Sequence, residues 1–297
     1  MSNRLETLQV AKLSPQLLGD SADLVADFLL GQLSEDGGFR GRAGDEGDLY
    51  YTVFGLDGLN ALSAELPQKR VMPFLLQFGS GEDLDLIHLA CLIRCWTALG
   101  LPDGGPGPEI LRPRLDDFRH QDGGWGVDAD GTRGTTYATF LAISACQDLG
   151  LSVPDAPAAV EFLQQRQTPE GGFAPDAQLA VATTPTTAAG VAALRQLEAH
   201  PDPKAARWLE AMLHEQGGFL PAHGAPMPDL LSTAVALHAL SSLGASLAEL
   251  AEPVLDFVDT LWTSKGAFHG HWADEVLDCE YTFYGLLALG HLSVWSR

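Results

Sequence analysis

Apolar residues recur along the chain in two kinds of helical segment, which alternate and are separated by short glycine-rich turns. Segments of the first kind are amphipathic, with apolar residues on one face, as in Leu24, Val25, Phe28 and Leu29. Segments of the second kind are more apolar and richer in small residues. Amphipathic helices cover a core, whereas helices that are apolar nearly all round lie inside it. The pattern therefore predicts outer and inner helices in alternation.

A glycine doublet followed by an aromatic residue marks the turn that links an outer helix to an inner one. The markers recur at intervals of 86, 48, 46 and 49 residues, beginning at Gly37, Gly123, Gly171, Gly217 and, more weakly, Gly266. Because 86 is twice 43, one unit has lost its marker, near residues 78–82. Six units of roughly 45 residues then fill the chain. We expect residues 1–297 to form one all-α domain, an (α/α)6 barrel or toroid of six helical hairpins with an inner ring inside an outer ring.

The inner helices align at a first position that suits helix capping. Aspartate or threonine at this position accepts a backbone N–H of the first turn and favours the positive end of the helix dipole. The first positions in this alignment are Asp48, Asp85, Gly134, Thr183, Asp229 and Asp278. No run of β-branched residues alternates convincingly with polar ones, so the sequence predicts no strands.

Composition and charge exclude some classes of binding partner. The chain is 46% hydrophobic, and 39 acidic residues outweigh 17 basic ones to give a formal net charge of -22. Such a surface repels phosphate backbones, so we expect no nucleic-acid partner. There is no apolar run of about 18 residues and no signal-peptide pattern, so we also expect no membrane span and a cytoplasmic protein. The four cysteines are too scattered for a disulfide framework.

Two kinds of motif resemble known enzyme families. Residues 37–42 (GGFRGR) and 48–51 (DLYY) are similar to the GGF-x-GR and D-x-C-Y segments of protein prenyltransferase beta subunits, and residues 281–286 (YTFYGL) resemble their H-T-x-F-G-L helix. Residues 160–173 resemble the QW repeat of squalene and hopene cyclases. The resemblance spans essentially the whole chain. It implies an α/α toroid that acts on a hydrophobic isoprenoid, by prenyl transfer or by terpene cyclisation.

The resemblance to prenyltransferases implies a zinc site. In that family zinc is held by the Asp and Cys of one D-x-C-Y helix start and by the His of a D-x-x-H start. Here Asp48, Asp85 and His88 match the family's Asp and its D-x-x-H, and become the predicted metal ligands. Tyr50 stands where the family has Cys, and tyrosinate is a poor substitute for thiolate on zinc. Magnesium is a second expected cofactor if the substrate is a diphosphate.

Other family features are carried over only in part. The family's diphosphate contacts correspond to Arg42 and Tyr51. Squalene-type cyclases protonate an alkene with the central Asp of D-x-D-D-T-A, and the stretch that begins at Asp229 (DLLSTA) has that register but lacks both inner acids. Prenyltransferase beta subunits also work with an alpha subunit, so the resemblance implies a protein partner subunit.

In a closed ring the last unit lies beside the first, so acidic side chains from both should converge at one sector of the cavity entrance. We expect Asp48, Asp85, Asp278 and Glu280 to be the catalytic acids, because crowded carboxylates raise one another's pKa and can donate a proton or surround a cation. The alternative is that each Asp only caps its helix. Glu280 lies inside its helix and is harder to explain as a cap.

An aromatic cavity is the expected binding site, because aromatic faces stabilise carbocations. The predicted substrate-binding residues are Arg42, Tyr50, Tyr51, Tyr137, Tyr281 and Tyr284. Aromatic residues are equally the ordinary filling of a ring of helices. The leading hypothesis is an isoprenoid-handling enzyme with an Asp, Glu and His cluster at the entrance to its cavity. The alternative is a non-catalytic toroid that binds a lipid or a partner protein and has lost the prenyltransferase motifs.

Overall fold

The computed structural model describes residues 2–42, 44–101, 105–179 and 181–295. Two helices come first, α1 (Asn3–Ala11) and α2 (Pro15–Leu18). The helices after them alternate between an outer and an inner layer. The outer helices are α3 (Ser21–Gly31), α5 (Gln68–Leu76), α7 (Pro108–Asp116), α9 (Ala156–Arg166), α11 (Lys204–Glu210) and α13 (Ala251–Leu261). The inner helices are α4 (Leu49–Ala61), α6 (Leu86–Ala98), α8 (Thr136–Asp148), α10 (Thr184–Gln196), α12 (Leu230–Ser242) and α14 (Cys279–Ser293).

The inner helices form a closed ring. Each packs against the next in chain order, and α14 packs against α4. The outer helices contact the inner ones from outside. This arrangement confirms the predicted toroid of helical hairpins. Within the part of the chain that the structure describes, no helix is both long enough and apolar enough to cross a membrane.

The inner helices run parallel, and each begins at a capping side chain that accepts a backbone N–H of the first turn. Five of the six predicted first positions are these caps. The prediction for the third helix is wrong by one residue, because Thr135 caps α8 and its hydroxyl accepts from the Ala138 N–H at 3.1 Å. Glycine has no side chain with which to cap a helix. The correction places Tyr137 two residues after its cap, the same step that Tyr50 and Glu280 occupy on their helices.

Gly134 instead allows two loops of its unit to pack closely against each other. A Cβ atom there would lie 2.7 Å from the Cα atom of Gly124, so no larger residue fits. The glycine at the start of each marker has a related role. Gly37, for example, has a φ of +97°, and a Cβ atom would lie 2.1 Å from the Arg70 carbonyl oxygen of the next outer helix.

The aromatic residue of each marker is buried and joins three parts of its unit. Five isolated antiparallel bridges pair it with a residue one to three positions after the end of the outer helix, at Phe39, Trp125, Phe173, Phe219 and Phe268. Four of these backbone N–H groups also donate to a threonine of the following inner helix, as Phe39 does to Thr52 Oγ1 at 2.9 Å. The only assigned strands in the described ranges, β1 (Phe39–Arg40) and β2 (Gly47–Asp48), form a small ribbon that the sequence did not predict.

Helix α1 lies across the end of the ring where the inner helices end. It packs against α14, α4 and α8. The approach to α14 is close, since a Cβ atom at Gly290 would lie 2.1 Å from the Val10 carbonyl oxygen. We call this end of the ring the floor, and the end at which the inner helices begin the mouth. No pattern in the sequence predicted this position for α1.

Candidate active site in the toroid cavity

The inner ring encloses a cavity of about 430 Å³. Most of its lining is apolar, and its aromatic side chains are Tyr50, Phe54, Tyr137, Phe140, Phe283 and Tyr284. Three of the five predicted tyrosines therefore line it, namely Tyr50, Tyr137 and Tyr284. Tyr51, Tyr281 and Glu280 are not among its lining residues. Tyr281 lies beside the Arg42 guanidinium at the mouth, and Tyr51 lies against the preceding Gly41.

The aromatic side chains pack edge to face or tilted against one another. The Phe54 ring centroid lies 5.1 Å from that of Tyr50 and 5.5 Å from that of Tyr284, and this cluster joins α4 to α14. Tyr137 and Phe140, 6.2 Å apart, form a second cluster on α8. Rings that meet at their edges leave some faces free. Those faces carry the negative part of the ring quadrupole, which attracts cations.

Glu280 is a carboxyl group that is hydrogen-bonded to this aromatic wall through Tyr50. The Tyr50 hydroxyl donates to Glu280 Oε1 at 2.5 Å, because both residues lie two positions after the caps of neighbouring parallel helices. Glu280 is only 8% exposed. Burial raises its pKa to about 7, against the opposing effect of the Tyr50 hydrogen bond and with a further increase from Asp278. The acid and the carboxylate forms of Glu280 therefore coexist near neutral pH.

Tyr50 itself stays a phenol. Burial, followed by the neighbouring Tyr284 and Glu280, raises its pKa far above the usual range. It can therefore donate a hydrogen bond at any physiological pH but does not ionise there. This property suits it to stabilise the Glu280 carboxylate rather than to replace the thiolate of a zinc site.

Arg42 forms a second cluster at the mouth, with Asp274 and Asp278. Its guanidinium forms an ion pair with Asp274, its Nε atom lies 3.1 Å from Asp278 Oδ2, and its Cζ atom lies 5.4 Å from the centre of the Tyr281 ring. Burial raises the pKa of Asp278, while the Tyr281 N–H and Arg42 lower it. The arginine predicted to bind a diphosphate is thus already neutralised by two carboxylates of its own chain.

The predicted zinc ligands do not come together. Among the residues that the structure describes, no group of three or more His, Cys, Asp or Glu side chains is arranged to hold a metal ion. Asp48 caps α4 by accepting the Tyr50 and Tyr51 N–H groups. Asp85 caps α6 and also contacts the His88 ring, with 2.7 Å between Oδ1 and Nδ1. Asp48 and Asp85 thus already accept hydrogen bonds from their own helices. The residues present do not fit a three-ligand zinc or magnesium site.

A buried ionic cluster at the floor escaped the sequence analysis. Asp57 Oδ1 lies 3.1 Å from Arg4 Nε, and Asp57 Oδ2 lies 2.7 Å from Arg94 Nη2. The cluster joins α1, α4 and α6, and Arg94 also lines the cavity. A signal for part of it exists in the sequence, because Asp57 and Arg94 each lie nine residues after the cap of an otherwise apolar inner helix. The partner Arg4, 53 residues from Asp57, has no such signal.

A histidine pair was also missed. His238 lines the cavity, and its Nδ1 atom lies 3.2 Å from Nε2 of His291 on the neighbouring helix. Burial lowers the pKa of His238 to about 4 and that of His291 to about 3. Both rings are therefore neutral at pH 7, with one nitrogen donating and the other accepting. His238 lies nine residues after the Asp229 cap, the position that Asp57 and Arg94 occupy on their helices, but His291 on α14 has no such signal.

The chain belongs to the prenyltransferase alpha-alpha toroid domain family, which matches residues 11–93, 111–209 and 187–297. Among solved structures it is similar to the Candida albicans protein geranylgeranyltransferase-I complexed with GGPP, with 19% identity, a TM-score of 0.65 and coverage of 84% of this chain and 87% of that one. A protein from Actinoplanes matches with 16% identity, a TM-score of 0.61 and coverage of 94% and 99%. A variant of the type II terpene cyclase MstE from Scytonema, in complex with geranylgeranyl dihydroxybenzoate, matches with 15% identity, a TM-score of 0.41 and coverage of 96% and 99%. A search of curated proteins found no match.

Proposed function

We propose that the protein is an enzyme that binds a linear isoprenoid in its central cavity and cyclises it by protonating a carbon–carbon double bond. One observation carries this proposal. Glu280 is a buried carboxyl group whose pKa is raised to about 7, and it is hydrogen-bonded to a tyrosine of an aromatic cavity wall. A pocket that is mostly apolar, with few convergent polar groups, suits a hydrophobic substrate of this kind.

In the proposed reaction, Glu280 supplies the proton. Its protonated form donates to a double bond that lies at the Tyr50 end of the cavity. The negative charge that develops on Glu280 is stabilised by the hydrogen bond that Tyr50 Oη donates to Oε1. Such a donor acts on charge that appears only as the proton leaves, so it favours the transition state over the bound substrate.

The carbocation that forms is stabilised by the faces of Tyr50, Phe54, Tyr137 and Tyr284. Ring closure follows as a second double bond of the substrate attacks the cation. A final loss of a proton regenerates a double bond, and neutral His238 on the cavity wall is positioned to accept that proton. Return of one proton to Glu280 restores the enzyme, so the overall reaction is an isomerisation without a redox step.

Prenyl transfer is less well supported by the site. It would place a diphosphate near Arg42, which already pairs with Asp274 and Asp278. A protein partner subunit and the participation of Asp48, Asp85 and His88 in catalysis stay predictions of the sequence analysis. The second candidate function is a non-catalytic lipid-binding toroid. The change from Cys to Tyr50 in the D-x-C-Y motif and the lack of both inner acids after Asp229 favour it.

The test is turnover of farnesol, geranylgeraniol and their diphosphates in deuterium oxide, with products separated by gas chromatography and identified by mass spectrometry. We expect a cyclic product that carries one deuterium atom. Glu280→Gln should lower turnover by about 10²- to 10⁴-fold, and Tyr50→Phe by roughly tenfold. Glu252→Gln, in the exposed first turn of α13, is the matched control and should leave turnover unchanged.

Two results would reject the proposal. Full turnover by Glu280→Gln would show that another group supplies the proton. Tight binding of an isoprenoid by the parent protein with no product under any condition would favour the lipid-binding toroid.

A further inference from the structure

The main cavity is closed at its floor by α1. On the inner helices the cavity wall begins two residues after the cap and ends nine residues after it, at Arg94, Ala192, His238 and Leu287. The inner helices themselves extend to the thirteenth position after their caps or beyond. Two side chains of α1, Asn3 and Thr7, complete the lining. Helix α1 therefore closes the cavity about one helical turn before the ring itself ends.

Helix α1 is held on opposite sides of the ring. Arg4 Nε lies 3.1 Å from Asp57 Oδ1 on α4, and both side chains are buried. Arg195 Nη1 on α10 lies 3.5 Å from Glu6 Oε2. These contacts span the ring, because two inner helices separate α4 from α10 in either direction. The floor is thus a fixed wall, and a ligand that displaced α1 would break a buried ion pair.

The open space of the cavity lies between a wall of small side chains and a wall of aromatic ones. Helix α10 contributes only small side chains to the lining, namely Pro185, Thr186, Ala188, Ala189 and Ala192. The opposite helix, α4, contributes Tyr50 and Phe54. Small side chains leave room beside them, so a hydrocarbon chain would extend along α10 from the mouth. It would reach α1 after about 10 Å, the rise of the seven residues from Pro185 to Ala192.

Thr7 acts on such a chain through its volume. Its hydroxyl lies 3.0 Å from the Arg4 carbonyl oxygen and 3.2 Å from that of Asn3, so it donates within α1. A hydroxyl group that is satisfied within its own helix needs no partner from a ligand. Protein interiors are close-packed, so the Thr7 side chain limits how far a ligand can extend toward the floor.

The volume of the cavity indicates how long the ligand is. A cavity of roughly 150 Å³ holds one benzene molecule, which corresponds to about 25 Å³ per carbon atom. At this density the cavity of about 430 Å³ holds roughly 17 carbon atoms. Three isoprene units, with fifteen carbon atoms, meet this limit. Four units, with twenty, exceed it.

We propose that the cavity accommodates a linear isoprenoid of three units, and that α1, through Thr7, sets this limit. The inference rests on the proposed function and specifies the length of its substrate. Each unit above the floor buries more apolar surface and makes binding tighter. A fourth unit finds no space without displacing α1 and breaking the Arg4–Asp57 ion pair, so it adds nothing to the affinity.

The test is isothermal titration with geraniol, farnesol and geranylgeraniol, which share one hydroxyl group and differ in the number of units. We expect the parent protein to bind farnesol about tenfold more tightly than geraniol, and geranylgeraniol no more tightly than farnesol. Thr7→Phe fills the floor, so it should weaken farnesol binding about tenfold and leave geraniol binding unchanged. Thr7→Ala enlarges the floor and should strengthen geranylgeraniol binding relative to farnesol by about threefold.

Two further variants separate the depth of the cavity from the folding of α1. Ala192→Phe fills the cavity near the same depth from α10, so it should reproduce the effect of Thr7→Phe without a change in α1. Leu5→Phe, at a position of α1 that is 44% exposed, is the matched control and should leave all three affinities unchanged. Circular dichroism verifies the fold of each variant, and Ala192→Phe decides the outcome if Thr7→Phe does not fold.

The inference is overturned if geranylgeraniol binds the parent protein more tightly than farnesol. It is also overturned if Ala192→Phe leaves the ratio of farnesol to geraniol affinity unchanged, or if Leu5→Phe lowers that ratio as much as Thr7→Phe. These outcomes are distinct from failure of the proposed function. Tightest binding of farnesol without turnover would remove the cyclase and keep the length limit. Turnover with an affinity that still rises to geranylgeraniol would do the reverse, and failure of all three alcohols to bind would reject both.

Discussion

The mouth and the floor of the toroid use the same kinds of residue in opposite proportion. At the mouth one arginine, Arg42, lies between Asp274 and Asp278. At the floor one aspartate, Asp57, lies between Arg4 and Arg94. Among these direct ion pairs the mouth has an excess of carboxylate and the floor an excess of guanidinium. The Asp148 carboxyl group also lies near both floor arginines and offsets that excess.

The two clusters also differ in burial, and this difference separates their roles. At the mouth Arg42 is 33% exposed, although its partners Asp274 and Asp278 are 7% and 2% exposed. At the floor Asp57 is 1% exposed and Arg4 5%, and Arg94 is 24% exposed. Water therefore screens the mouth arginine more than the Arg4–Asp57 pair. Removing one partner of a buried pair leaves an uncompensated charge, while exposed pairs contribute little to stability. The floor cluster therefore holds α1 on the ring. The mouth cluster mainly changes the pKa of the neighbouring carboxyl groups of Asp278 and Glu280.

The largest expected effect is at the floor. Asp57→Ala removes the carboxylate that Arg4 and Arg94 both contact and leaves the buried Arg4 without its ion-pair partner, so we expect the free energy of unfolding to fall by about 3–5 kcal/mol. Urea denaturation followed by circular dichroism measures the loss. Asp117→Ala, which removes the half-exposed partner of Arg114, is the control and should cost less than about 1 kcal/mol. Equal losses of stability in the two variants would show that burial of the Asp57 carboxylate does not determine the cost of removing it.

The next effect concerns Glu280 and depends on pH. Its folded pKa of about 7 lies above the ordinary value of 4.5, so the protonated form favours the folded state. The stability that this proton provides is fully present below pH 4.5 and is lost as the pH rises through 7. Glu280→Gln should therefore become more stable relative to the parent protein between these limits, by up to roughly 3 kcal/mol at pH 8. A stability difference that stays constant from pH 4 to pH 8 in paired denaturation curves would contradict the raised pKa.

A smaller effect tests the role of the mouth cluster. Arg42 lowers the pKa of both Glu280 and Asp278, so Arg42→Gln should raise both. We expect the pH at which turnover falls on the alkaline side to move upward by about half a unit. Arg112→Gln, at a half-exposed position on α7, is the control and should leave that pH unchanged. A downward shift would mean that Arg42 does not act on Glu280 through its charge.

The smallest effect is expected at the start of α6. His88 is 42% exposed and pairs only with Asp85 on its own helix. His88→Ala should therefore change the free energy of unfolding by less than about 0.5 kcal/mol and leave turnover unaltered. Loss of turnover in this variant, with folding intact, would restore the catalytic role that the D-x-x-H motif predicted.

Much of the fold could be predicted because its signals are local. A capping side chain, an apolar inner helix and a glycine doublet recur within each unit, so the alternation of layers and five of the caps follow from sequence alone. The error at Gly134 has a physical cause. The residue before a cap can be held in place by a close approach between loops, and the residue pattern alone does not separate that constraint from capping.

The site was predicted less completely because it depends on which helices face each other and at what height. Closure of the ring brought Glu280 to the first unit, as expected, and its partner is Tyr50. The pairs Arg4 with Asp57 and His238 with His291 are each 53 residues apart and join different helices. Such contacts depend on the rotation of each helix about its axis. No short motif in a single sequence carries that information.

The parallel direction of the inner helices has an electrostatic consequence. Each helix has a macrodipole equivalent to roughly half a positive charge at its beginning and half a negative charge at its end. Six aligned helices therefore add their positive poles at the mouth and their negative poles at the floor. The carboxylates that cap the mouth and the arginines that gather at the floor oppose this field. The distribution of charged residues is thus a response to the backbone of the ring, whose field acts along the axis of the cavity.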